Sequence, residues 1–552
     1  MRRTFSEHHL RAVVSLDGLW TLMPQDGSGK TYPVMVPGVW ERIPSLASFR
    51  GISTYSKTVE ISQRGHYLLR FGAVSHTAHV FWDGVPVGQH YNAFTGFDIL
   101  LKDVAPGIHP LSVEVDNRFT EDSSLHIPND YYTYGGITRS VELHRVGQLY
   151  LERMAFHSTR ISGMDYKATV RLYLRAIEDT ENAAYSVKLG GVSASGFIGH
   201  LATGEVFEQE VTFTVPDVQQ WDLFQPHLYT LEATLTVDGV PVDDLTDRVG
   251  FRTVDISGEQ ILLNGKPVYL KGFNRHEDHG LFGCALPREA MMDDLQRILD
   301  TGANSIRTAH YPNDPLFLDL CDELGLLVWE EHHARAIPIE ILRKSLFRKQ
   351  ISDCNIEMVT QHCNHPCIYI WGVLNECESA TEEGRQIYAA QLAHLRQLDP
   401  TRPVSFASCR HFRDICLDLV DVVSWNIYPR WYMAETVESY ACRLLTWLEE
   451  NGAAGKPILI TEVGAGAIYG YHDPFGRAKW SEERQCDILD EQLSVLLRHP
   501  RLSGVYVWQF ADVRVTEEWA HQRPKTVNNK GIVDQYRQPK LSYLTVKNHF
   551  TK

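Results

Sequence analysis

Cys367-Ile-Tyr-Ile-Trp-Gly-Val-Leu-Asn-Glu376 runs through eight uncharged residues and then ends on an amide and a carboxylate. A run this short and this rich in isoleucine and aromatics reads as a strand buried on both faces. Pro457-Ile-Leu-Ile-Thr-Glu462 repeats the pattern. Working outward, six further segments read the same way: Val268–Gly272, Ala303–Arg307, Leu326–Trp329, Pro403–Phe406, Val422–Trp425 and Gly504–Trp508. Amphipathic stretches such as Arg288–Asp300, Asp314–Leu324 and Ser481–Arg498 lie between them. Eight strands alternating with helices from Val254 onward predict a (β/α)8 barrel over residues 254–552.

Upstream the texture differs. Gly18–Leu22, His66–Phe71, His79–Trp82 and Leu111–Val115 are short alternating strands broken by turn residues, which predicts a β-sandwich over residues 1–150. Ala168–Leu174, Val211–Val215 and Tyr229–Leu235 continue in strands and predict a second, immunoglobulin-like sandwich over residues 151–253. Three domains suit 552 residues, of which 43% are apolar and 22% charged.

The balance of 53 basic and 69 acidic residues, a net charge of −16, argues against nucleic-acid backbones as partners. No apolar run is long enough for a membrane helix. Phe5-Ser-Glu-His-His9 is not the apolar core of a secretory signal, and ten irregularly spaced cysteines, all from Cys284 onward, suit a reducing compartment. A cytoplasmic protein is expected. Cys363-Asn-His-Pro-Cys367 lacks a second ligand pair and reads as a structural turn.

Catalytic groups of such barrels come from the C-terminal ends of strands. In order these ends read Asn274–His279, Arg307–Tyr311, Glu330–His333, Asn375-Glu376, Asn426–Tyr428, Glu462 and Trp508. Carboxylates, histidines and aromatics crowd this rim. Glu376 and Glu462 each follow a nearly apolar strand, where charge is rare unless paired or used. Two carboxylates across a barrel mouth are the minimum equipment of a glycosidase: one protonates the leaving oxygen, the other attacks the anomeric carbon or activates water.

These residues resemble glycoside hydrolase family 2, the family of β-galactosidases, β-mannosidases and β-glucuronidases, over nearly the whole chain. The resemblance rests on Gly272-Phe-Asn-Arg-His-Glu277, Asn304-Ser-Ile-Arg-Thr-Ala-His-Tyr-Pro312, Trp371-Gly-Val-Leu-Asn-Glu376 and Thr461-Glu-Val-Gly464. It implies a jelly-roll sugar-binding-like sandwich, an immunoglobulin-like sandwich and a TIM barrel. It also implies a retaining mechanism without metal or cofactor, and a homo-oligomer, dimer or tetramer. Glu376 would be the acid/base, Asn375 would face the sugar 2-hydroxyl, and Glu462 would be the nucleophile, kept ionised by Arg307. Glu376 then needs a raised pKa and Glu462 a low one.

Asn528-Asn-Lys530 resembles the Asn-x-Lys motif with which the family's β-glucuronidases hold a sugar carboxylate. An ammonium beside an amide donor suits a uronate and is wasted on a neutral hexose. The resemblance adds Asp130, His310, Asn426, Tyr428, Trp431, Tyr432 and Trp508 as sugar-facing positions. The chain departs from the glucuronidase pattern in three places. Val463 replaces a tyrosine. Pro524 replaces an arginine, with Arg523 adjacent. His332-His-Ala-Arg335 replaces small residues. Arg335 is an extra cation, and the axial 4-hydroxyl and carboxylate of galacturonate could share its guanidinium. The expected function is a retaining exo-β-hexuronidase acting on small β-uronide or oligosaccharide substrates, with glucuronide or galacturonide left open. The stretch after Ala334 is too short for a long lid, which implies an open aglycone side. Three alternatives remain: a neutral-sugar β-galactosidase, a catalytically dead sugar-binding protein, and a metalloenzyme built on His276, His279, His332 and His333.

Overall fold

A computed structural model describes residues 3–552. Between Ala12 and Val146 the chain forms a four-stranded and a six-stranded antiparallel sheet, with Trp20, Tyr55, Leu69, Phe71, Val80 and Val113 in the core between them. From Leu149 to Val249 a three-stranded and a four-stranded sheet pack on each other. In Asp165–Ala176 the residues Tyr166, Ala168, Val170, Leu172 and Leu174 are buried while their neighbours are not, the period-two signature of a sheet with one wet face.

The barrel strands are β1 (Leu270–Asn274), β2 (Ser305–Arg307), β3 (Leu327–Glu331), β4 (Ile368–Gly372), β5 (Val404–Ser405 and Ala407–Ser408), β6 (Val423–Asn426), β7 (Ile458–Val463) and β8 (Gly504–Val507). They are parallel and run in order, and β1 pairs with β8. β5 is split at Phe406, whose ring packs on Tyr388. Every residue of β4 and β7 is buried, as a sheet wrapped by helices requires.

The strand limits differ from the sequence expectation in two ways. β1 begins later, because Val268 donates its N–H to Ile261 in a short hairpin (Val254–Ser257, Gln260–Leu263, Lys266–Pro267) that precedes the barrel. At the other ends, Glu330, Glu331 and Glu462 lie inside β3 and β7 rather than after them, since the parallel ladder continues through Glu331↔Gly372 and Asn426↔Glu462.

The first sandwich is fastened over the barrel mouth. Buried Arg139 donates to the Phe94 carbonyl at 2.8 Å, to Glu277 at 2.9 Å and to the Pro312 carbonyl at 3.0 Å. Asn129 and Thr516 exchange hydrogen bonds across the same seam. Part of the charged rim that looks catalytic in sequence therefore joins domains: Glu277 holds Arg139, Asp278 accepts the Tyr134 hydroxyl, and His333 packs against Phe94 and His126.

Candidate active site

The ends of β2, β4, β6 and β7 converge on one buried network. Arg307, the last residue of β2, is fully buried and is gripped on two sides: Glu331 accepts from its Nε and Nη2 at 2.9 Å each, and the Asn274 Oδ1 accepts from Nη1 at 2.9 Å. So held, Nη1 reaches Glu462 Oε1 at 3.0 Å, and Nη2 reaches Asn375 Oδ1 at 2.8 Å. The Tyr428 hydroxyl donates to Glu462 Oε2 at 2.5 Å. Across the mouth, Asn426 donates to Glu376 Oε1 at 3.0 Å and is itself fixed by the Thr461 hydroxyl at 2.8 Å. Leu374 and Glu376 have φ of 48° and 55°, the left-handed region, so the backbone carrying Glu376 is held strained by its surroundings. Among the described residues Asn375 Nδ2 has no hydrogen-bond partner and remains a donor for a substrate hydroxyl.

Burial first, and the Glu376 charge second, push Glu462 up to about 7, against the pull of Arg307 and Tyr428. The expectation of a low pKa for Glu462 is thus corrected for the unliganded protein. Glu462 attacks only as the carboxylate, so the protonated form that dominates below about pH 7 is inactive. The kcat/KM profile is therefore expected to fall on its acid side near pH 7. Initial rates across pH 5–9 read this, and a flat profile contradicts it.

His310 is buried, and burial together with Arg307 drives its pKa well below the usual value, so it is neutral. With Nδ1 2.8 Å from Glu331 Oε1, the tautomer donates from Nδ1 and leaves Nε2 as an acceptor. Trp508 stacks on the His310 ring at 5.0 Å and forms one wall of the mouth.

The distal wall carries the cations. Lys530 is buried, with its ammonium 5.7 Å from the Tyr428 ring and 5.2 Å from the Tyr432 ring. Among the described residues no carboxylate lies within ion-pair distance of it. Tyr432, half exposed, has its pKa lowered by Lys530 and Arg523 although burial opposes this. Asp130 of the first sandwich accepts from Arg523 Nε at 2.8 Å and again from its Nη2, and from Asn528 Nδ2 at 3.0 Å. Against a burial that would raise it, this pairing holds the Asp130 carboxyl below its usual range. Asp130 therefore works chiefly as an anchor that aims Arg523 and Asn528.

Arg335 is no surface residue. Its Nη1 donates to Asn129 Oδ1 at 2.9 Å, its Nη2 lies 3.4 Å from Glu376 Oε2, and its guanidinium sits 5.3 Å over the Trp519 ring. The structure thus brings Glu376, Glu462, Asp130, Arg307, His310, Arg335, Asn375, Asn426, Tyr428, Tyr432, Trp508, Asn528 and Lys530 to one mouth. Trp431 instead packs beside Trp480 at 5.0 Å, one layer out. Glu331, Asn274, Asn129 and Arg523 hold the others in place; Asn274 and Glu331 lie at strand ends read as the rim and Arg523 adjoins Pro524, but the holding role of each is not legible from sequence.

The histidines proposed as a metal alternative do not gather: His276 faces Tyr311 and Trp508, whereas His333 faces the first sandwich. Among the described residues, Asp322, His365 and Cys367 have potential ligand atoms within 4.8 Å of one another. They lie at the start of β4, the opposite end of the barrel from Glu376. There Asp322 already accepts from Cys367 N at 2.9 Å and contacts His365 Nδ1 at 2.6 Å, which is a turn held by hydrogen bonds. Cys363 bonds its neighbour Asn364 and is not part of the group.

Residues 254–552 match the family model for the TIM barrel domain of glycosyl hydrolases family 2, and residues 155–252 match the model named for that family. The chain belongs to glycosyl hydrolases family 2. This family 2 enzyme is similar to a β-galacturonidase from Eisenbergiella tayi whose crystal structure holds galacturonate: 48% identity, TM-score 0.96, covering 100% of this chain and 99% of that one. It is 29% identical over 532 residues to a β-glucuronidase of Streptococcus agalactiae, covering 88% of this chain and 86% of that protein. It is 28% identical to the β-glucuronidase of Rattus norvegicus, covering 96% and 86%.

Proposed function

We propose that this family 2 enzyme is a retaining exo-β-hexuronidase that removes β-linked galacturonate in preference to glucuronate. Glu462 attacks the anomeric carbon while Glu376 gives its proton to the leaving oxygen. The sugar is then bound covalently to Glu462, and Glu376, now a base, activates the water that releases it. Lys530, Asn528 and Arg523 receive the sugar carboxylate, and Asn375 receives the 2-hydroxyl. The buried distal cation, with no carboxylate at ion-pair distance among the described residues, is what favours a uronate over a neutral hexose.

The preference for galacturonate rests on one observation: Arg335 is inserted between Asn129 and Glu376, on the same mouth as Arg523 and Lys530. A guanidinium there offers a donor to an axial 4-hydroxyl that an equatorial one does not meet. The 48% identical galacturonidase supports the same reading. Arg335→Ala is expected to lower the ratio of galacturonide to glucuronide kcat/KM about tenfold, the scale of one hydrogen bond to a charged group. An unchanged ratio sinks Arg335 as the discriminating residue.

We also propose a homo-oligomer. Leu19 and Met35 pair on the outer face of the six-stranded sheet and are 65% and 62% exposed, an apolar spot suited to a second copy. Sedimentation velocity giving a monomer at micromolar concentration rejects this. All ten cysteines are unpaired, which fits a reducing cytoplasm, and a disulfide found in protein from its native cells overturns that placement.

A further inference from the structure

A second concave site of about 450 Å³ lies where the first sandwich meets the barrel rim, behind the loop that carries Lys530. Val527 and Asn529 line it, while Asn528 hydrogen-bonds Asp130 and Lys530 lies against Tyr428 and Tyr432. Neighbouring residues of this loop thus face opposite ways, and the one loop forms the wall of both sites.

Three features of this cavity point to a ligand. Glu41, on its sandwich side, is 8% exposed; its Oε1 accepts from Gly135 N at 2.9 Å and from Asn117 Nδ2 at 3.4 Å, while its Oε2 has no partner among the described residues. Leaving a buried polar atom unmatched is costly. Burial pushes Glu41 up to about 8, so near neutrality it is protonated and its free oxygen is a donor. Second, Tyr469 and Tyr536 stand on the rim at 46% and 47% exposure. The Tyr536 ring is seated on Gly280, where even a Cβ would come within 2.4 Å of it, so an apolar ring face is presented in a fixed place. Third, the lining carries both signs: Asp278 and Arg514 lie within, and exposed Arg42 and Lys525 lie at the lip. A lining of mixed sign favours neither an anion nor a cation. A neutral polyhydroxyl ligand, with an apolar face for tyrosine and hydroxyls that donate and accept, matches all three.

We propose that this cavity is a second carbohydrate site, which takes a neutral sugar independently of the catalytic mouth. Saturation-transfer NMR on the full-length enzyme tests it, with D-galactose and a β-linked galactobiose as probes and with galacturonate and glucuronate in excess to fill the catalytic site. The expected result is saturable millimolar-range binding that survives the uronates. Tyr469→Ala and Tyr536→Ala should each weaken it about tenfold or more. Both variants should keep uronide kcat/KM within about twofold, which certifies their folding. Absence of saturable binding, displacement by the uronates, or full binding by both variants overturns the proposal.

Discussion

Glu462→Gln is expected to lower kcat on nitrophenyl β-galacturonide by at least about 10³-fold, within or beyond the 10²–10⁴ range typical of removing one positioned proton-transfer group. The loss is large because Gln is isosteric but cannot form the glycosyl bond. The surrounding contacts make the substitution clean: Arg307 stays anchored by Glu331 and Asn274, so the frame survives. Glu376→Gln should behave differently. On a nitrophenyl leaving group, which departs without help, its first step should be spared more than on an alkyl glycoside. External azide should then restore turnover by attacking the glycosyl enzyme without a base, giving a β-glycosyl azide. Steady-state rates on the two leaving-group classes, with and without azide, separate the roles. Equal losses for both variants on both substrates, with no azide product, would contradict the assignment of Glu462 as nucleophile and Glu376 as acid/base.

Lys530→Ala should cost about 10²–10³-fold in kcat/KM on β-uronides. Truncating one partner of a desolvated charge pair costs about 2–5 kcal/mol, and each 1.4 kcal/mol is tenfold. The ammonium is buried against Tyr428 and Tyr432, so water does not readily take its place. The effect should be specific. A nitrophenyl β-galactoside, which lacks the carboxylate, should gain or hold its low rate in the variant. If uronide and galactoside rates fall together, Lys530 supports the fold of the loop rather than the charge of the substrate. Arg523 gives an internal comparison: it is bound twice by Asp130, so Asp130→Ala should loosen it and lose part of the same uronate selectivity.

The barrel and both carboxylates were legible because apolar strands ending in charge are a strong local pattern: β4 and β7 are fully buried, and Glu376 and Glu462 sit at their ends. Arg307 was legible from its motif, but what it does was not. Its two anchors, Glu331 and Asn274, come from β3 and β1, and only the closed sheet puts them on one guanidinium. The same applies to the seam. Glu277 and His333 sit at strand ends like catalytic groups, yet Arg139 and Phe94 of another domain claim them. Sequence also favoured a low pKa for Glu462, from its required role. Burial and a second carboxylate oppose that role in the unliganded protein and push Glu462 up to about 7. Arg335 shows the reverse case: the sequence marks it only as an extra cation, and the fold sets it beside Glu376.

The net charge of −16 gains meaning from this geometry. The cations Arg307, Arg335, Arg523 and Lys530 are concentrated at one mouth, all but the partly buried Arg335 buried there, so an acidic protein can still draw in an anionic sugar.

The most direct measurement is a pair of initial rates on nitrophenyl β-D-galacturonide and nitrophenyl β-D-glucuronide, with nitrophenyl β-D-galactoside as reference, at pH 6. A galacturonide kcat/KM about tenfold or more above the glucuronide, and both well above the galactoside, is the expected result. A glucuronide rate that equals or exceeds the galacturonide rate contradicts the role given to Arg335, and a galactoside rate that exceeds both contradicts the uronate site itself.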